Sequence, residues 1–193
     1  MSELAAPPVG VALHAEVVPD DPTAMRWVLP DGLPASGRLL GAPGVLGELL
    51  AGLIVRAVAE PAALWTWLAE PSWPEHGPVV RDAIIAAAAR PDQWQVAPAA
   101  DEVLQLVAKD VIDHQLGTFI ASHGGRIALV RVETGVVEVE MAGACAHCPA
   151  AGLTLQGRIG AAISARLGQP VEVRPAGGVP AGAAKWRRLL RRA

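Results

Sequence analysis

The chain has 193 residues, 52% of them hydrophobic, and a formal net charge of −3. That is enough apolar material for one large core or two small ones, which excludes wholesale disorder. No uninterrupted apolar run reaches the length of a membrane-spanning helix. Lys185, Arg187, Arg188, Arg191 and Arg192 place five positive charges at the C-terminus. Taking those five from the net charge of −3 leaves −8, so an acidic body carries a basic tail. The start, Met1-Ser2-Glu3-Leu4, lacks the positive residues and apolar run of a signal peptide, so a cytoplasmic protein with reduced thiols is expected.

Residues 1–10 are small and proline-rich and are expected to be a disordered leader. A first domain is expected over residues 11–95. It opens with extended segments at Val11–Val18 and Met25–Leu29, joined by the turn Pro19-Asp20-Asp21-Pro22, which makes a hairpin. Residues 45–59 read as a helix with Leu46, Leu49, Leu50, Leu53 and Ile54 on one face. Leu64–Leu68 reads as a strand, Trp73–Pro78 as a loop and Val79–Ala89 as a second helix, ended by Pro91. Trp27, Trp65, Trp67, Trp73 and Trp94 fall in this half and are expected in its core. Residues 91–100 look like a linker, its last part, 96–100, lying between the two domains.

A second domain is expected over residues 101–175. Asp101 is placed to cap a helix running to about Leu116, which Gly117-Thr118 interrupts. Phe119 and Ile120 make a further turn, and Ser122-His123-Gly124-Gly125 leads into a strand at Arg126–Val132. The glycines here are expected to do no more than turn the chain, and His123 is given no role. Glu133-Thr134-Gly135 turns into the alternating strand Gly135–Met141. After the cysteines, Pro149 opens a helix through Leu153, Leu155, Ile159, Ile163 and Leu167, stopped by Gly168. Val171–Arg174 is a last strand, and residues 176–193 are a flexible spacer and basic tail. The fold class is therefore α+β: two small α+β domains joined by a linker.

Both cysteines of the chain sit in Gly143-Ala144-Cys145-Ala146-His147-Cys148-Pro149, on the expected strand-to-helix loop. Two thiols two residues apart reach one metal centre, iron–sulfur or zinc, or serve as a redox dithiol. Zinc needs two further ligands, for which His147, His123 and His114 are the candidates. A thioredoxin-like dithiol is expected within a βαβ pattern, whereas this pair follows a hairpin. No Ser/His/Asp arrangement, phosphate-binding loop or dinucleotide fingerprint is present, so no enzyme is expected.

Residues 101–174 resemble the C-terminal domain of the NifU/Nfu iron–sulfur proteins. The resemblance rests on Val111-Ile112-Asp113 leading to His123-Gly124-Gly125 before a strand, on Gly143–Pro149, and on Thr154-Leu155 ahead of Ile159. Residues 11–95 are similar to the Nfu N-terminal domain in the turn before Met25-Arg26-Trp27, the Leu-rich helix and the strand, loop and helix after it. The chain departs from the family at Gly117-Thr118, where members often carry proline, and at Arg126, where many carry aspartate. The resemblance implies that helices pack on a small mixed sheet in the C-terminal domain, and that Cys145 and Cys148 are the cluster ligands. Two thiolates do not complete a four-cysteine site, so two subunits share one cluster and form a homodimer through it. The family implies a [4Fe–4S] cluster, with [2Fe–2S] as the other form. It further implies an upstream cluster donor and apo-protein clients. The chain's own residues show no membrane-spanning run and no nucleic-acid-binding motif, so neither a membrane nor a nucleic-acid partner is expected. A non-cluster interaction module is the remaining alternative.

Overall fold

The computed structural model describes residues 12–147 and 155–176, which fall into two compact units dividing between Ala99 and Ala100. Both units are α+β. The expected leader, Cys148, Pro149, Leu153, Thr154 and the basic tail lie outside the described residues.

The first unit is a six-stranded antiparallel sheet in the order β1-β2-β5-β4-β3-β6. Its strands are β1 His14–Val17, β2 Ala24–Val28, β3 Gly37–Gly41, β4 Ile54–Glu60, β5 Ala63–Leu68 and β6 Gln95–Ala97. The expected first hairpin is present, with His14 opposite Val28 and Val17 opposite Met25. Its turn is held by Asp21, whose carboxylate accepts the amide and hydroxyl of Thr23 and, at 2.9 Å, the indole N–H of Trp67. Helices α1, Val45–Gly52, and α2, Trp73–Ala88, bring Leu46, Trp73, Val80 and Ile84 into one core with Trp27, Leu39 and Leu64.

Three expectations for this unit are corrected. The helix expected over 45–59 ends at Gly52, and β4 begins at Ile54. A short apolar run satisfies both periods, and the β-branched Ile54, Val55 and Val58 favour the strand. The loop expected at Trp73–Pro78 is already the start of α2. Pro74 stands in the first turn, where no amide partner exists to be lost, and only Pro78 removes a hydrogen bond. Finally, the linker expected over 91–100 is largely structured. Pro91–Gln93 forms a 3-10 turn, and β6 pairs with β3 at the sheet edge. Trp94 is buried there, and its indole N–H donates to the Ala87 carbonyl at 3.0 Å.

The second unit is a three-stranded mixed sheet, β7 Gly125–Glu133, β8 Val136–Gly143 and β9 Glu172–Pro175, with β8 central and β9 parallel to it. Thr134 at φ 50° and Gly135 at φ 77° are both left-handed, as a two-residue hairpin turn requires. Helix α3 runs over Ala100–Asp110 and packs Val103, Leu104 and Val107 against the sheet. Asp101 stands inside its first turn and caps the hairpin instead, accepting the amides of Thr134 at 3.1 Å and Gly135 at 3.0 Å.

The helix expected to reach Leu116 before an interruption at Gly117-Thr118 is corrected: α3 ends at Asp110, and the irregularity is a widened turn, Val111–Gln115, in which the Leu116 amide reaches back five residues to the Val111 carbonyl. Helix α4, Gly117–Ser122, follows. The region of the expected cysteine helix is, where described, a second widened turn at Leu155–Gly160 and then α6, Ala161–Leu167. Gly168 closes it at φ 70°. Leu155, Ile159 and Ile163 complete a core with Ile127, Val137, Val139 and Val173. The Gln156 side chain fixes β9, donating to the Val171 carbonyl and accepting the Val173 amide.

Candidate metal centre

The site is built where β8 leaves the sheet. Gly143, the last residue of β8, lies directly opposite Gly125, the first of β7. Gly124 and Gly143 hold φ of 67° and 61°, so both turns take the left-handed backbone that glycine adopts without strain. The Ala144 amide donates to the Gly124 carbonyl at 3.0 Å, joining the two turns. Cys145 then sits, half-buried, in the short helix α5, Ala144–His147. The expectation of a plain loop before the cysteines is therefore corrected: Cys145 is already in a helical turn.

Of the glycines expected only to turn the chain, Gly125 is in contact with the thiol. A Cβ built on Gly125 would overlap Cys145 Sγ, and one on Gly143 would overlap the Gly124 carbonyl. Gly125 thus makes the room that the sulfur occupies. An even count back along both strands from Thr134-Gly135 would set Gly125 opposite Ala144; the register shift at Val130 sets it opposite Gly143, two residues before Cys145. His123 is exposed and precedes this pair of glycines. A groove beside them is walled by Ile112, Ile120, Gly125, Arg126 and Ile127.

Soft thiolate sulfur suits iron–sulfur and zinc alike. Among the described residues no three His, Cys, Asp or Glu side chains come together as a metal-binding group. His114 and His123 therefore do not assemble a complete zinc set with Cys145. Cys148 and the side chain of His147 lie outside the described residues. What is visible fits a partial thiolate site: one sulfur, half-buried, in a cradle of backbone that side chains have been kept out of.

Residues 108–174 match the NifU-like domain family. The chain is also similar to a curated protein, nitrogen fixation protein NifU 1 of Rhodobacter capsulatus. The two are 43% identical over 97 residues, which are 49% of this chain and 69% of that relative. The second unit thus carries a NifU-like domain, with Cys145 within the matched residues. The chain belongs to the NifU-like family, and with it to the proteins of iron–sulfur cluster assembly. Among the described residues no helix is long and apolar enough to cross a membrane.

Proposed function

We propose that the chain is a cytoplasmic iron–sulfur cluster carrier and not an enzyme. It holds a [4Fe–4S] cluster through Cys145 and Cys148 of two subunits and delivers it to apo-proteins. The observation that carries this reading is the contact of Gly125 with Cys145 Sγ, since the absence of a side chain at Gly125 is what lets the thiol seat against the end of the β7–β8 hairpin. Cluster ligation needs thiolates, and four of them require two copies of a chain with only two cysteines. The cargo supplies the cross-link between subunits. The chain's own part is to present Cys145, half-buried, on the short helix α5, beside a groove that an acceptor's ligand loop can approach. A site shared at a small interface releases its cargo more readily than one enclosed in a single core. The acidic body of each copy also disfavours a metal-free dimer.

Anaerobic reconstitution with iron and sulfide tests this. A brown dimer is expected, with about one cluster per two chains because four thiolates are needed. Chelating the iron should return a monomer by sedimentation, at low and at high salt alike. Cys145→Ser and Cys148→Ser should each abolish the colour while circular dichroism stays unchanged. A colourless monomer whose thiols cycle to a disulfide would replace this reading with the redox one.

A further inference from the structure

A stack of three side chains stands beside the cysteine turn without being part of it. The Arg158 guanidinium carbon lies 4.3 Å from the centre of the Phe119 ring. Phe119 meets the His123 ring edge-on, with centroids 4.8 Å apart and planes at 70°. Phe119 is the only phenylalanine of the chain, yet it is 37% exposed and contributes little to the core. Its place at the surface is explained by what it joins.

Phe119 belongs to α4, and His123 ends that helix and leads into Gly124 and Gly125, which touch Ala144 and Cys145. Arg158 belongs to the widened turn Leu155–Gly160, which follows the cysteine segment in the chain. Leu155 and Ile159 anchor that turn in the core, so Arg158 reaches out from a fixed base. Helix α4 buries only Ile120, so the stack is what pins its outer face. The stack therefore ties the glycine turn that meets Cys145 to the turn Leu155–Gly160.

We propose that Arg158, Phe119 and His123 form a clamp that holds the glycine turn beneath Cys145 against the turn Leu155–Gly160. It thereby sets how readily the thiols release an iron–sulfur cluster. The three are positioning residues and none is a ligand. The inference rests on the carrier reading above.

The test uses the full chain with Phe119→Ala, Arg158→Gln and Arg158→Lys. Two rates are read: loss of cluster to an excess of iron chelator, and alkylation of the cluster-free thiols by iodoacetamide. Phe119→Ala and Arg158→Gln should each speed both about two- to fivefold, the factor to which one exposed cation–π contact corresponds. Thermal midpoints should fall by no more than a few degrees, and Arg158→Lys, which keeps a cation over the ring, should restore most of the effect. Rates equal to wild type in both disrupting variants would overturn the clamp, as would a failure of the lysine to rescue. Should the wild-type chain take up no cluster, the carrier reading falls. The alkylation rates then still decide the clamp: faster alkylation in the two variants sustains it, and unchanged alkylation overturns it.

Discussion

The two units use aromatic residues in opposite ways. In the first, five tryptophans are buried, and they fill both faces of one sheet. Trp27 packs edge-on against Trp73 at 5.8 Å on the helical side and donates to the Thr66 hydroxyl. Trp65 and Trp67 stack at 6.1 Å on the other side, under Arg26 and Arg56. Arg26 also pairs with Glu60, whose carboxylate is almost wholly buried. In the second unit the described core is aliphatic, and Phe119 is set at the surface, edge-on to the ring of His123 that leads into the glycine turn. A unit that stabilises itself with large rings is built to persist as a scaffold. A unit that fills its described core with Val, Ile and Leu leaves Phe119 for the surface by the site.

The comparison breaks most visibly at Trp27. Trp27→Ala removes a ring with 2% exposure and its hydrogen bond, which should cost the first unit about 3–5 kcal/mol. Urea unfolding followed by tryptophan fluorescence should show the loss, while iron uptake by the second unit stays near wild type. Iron uptake lost in step with the fluorescence would mean the two units do not fold separately. In the second unit the matching change is Gly125→Ala, which forces a methyl group against Cys145 Sγ. Strain of about 1–3 kcal/mol should appear as iron retention lowered about tenfold. A variant that keeps its iron would show that the cradle is wider than the thiol requires.

Smaller effects test the hairpin that carries the site. Asp101→Ala leaves the amides of Thr134 and Gly135 without their carboxylate, at a cost of about 1–2 kcal/mol in thermal unfolding of the second unit. On the outer face of the sheet, Glu138 accepts from Arg131 at 2.7 Å and from Arg174 at 2.6 Å. These hydrogen bonds, Arg131 first, lower its carboxyl pKa from 4.5 to about 2. A depressed carboxyl stabilises the fold fully above its unfolded value and loses that contribution as pH falls. Wild type should therefore weaken relative to Glu138→Gln between pH 4.5 and about 2, and match its pH dependence above that window. The effect should be small and should shrink with added salt, because the pairs are at the surface.

Much of this fold was legible from local pattern, where turn chemistry bounded the strands. Thr134-Gly135 between alternating segments announced β7 and β8, and the turn at Asp21 announced β1 and β2. Gly168 closed the last helix where a glycine was expected to. Local pattern failed where partners decided the outcome. Residues 54–59 are a strand because β3 and β5 flank them, and Gln95–Ala97 pairs only because β3 offers an edge. The strand at Gly37–Gly41 has too short an apolar run between glycines to declare itself. At the site, the spacing of the thiols was visible at once. The service of Gly125 to Cys145 joins residues twenty positions apart and follows from pairing across a hairpin, which no reading of single-residue types supplies.

Strand β7 has a further consequence for how such a protein survives at high concentration. It is nine residues long and stands at the edge of its sheet, the position from which chains add to one another and grow into fibrils. Its register slips between Leu129 and Arg131, leaving Val130 without a partner on β8. The slip bends the strand in mid-course, and Arg131 beside it carries a charge that an incoming copy would have to bury. An approaching strand therefore finds two short mismatched stretches in place of one continuous ladder. The irregularity guards the hairpin that leads to the thiols against polymerisation.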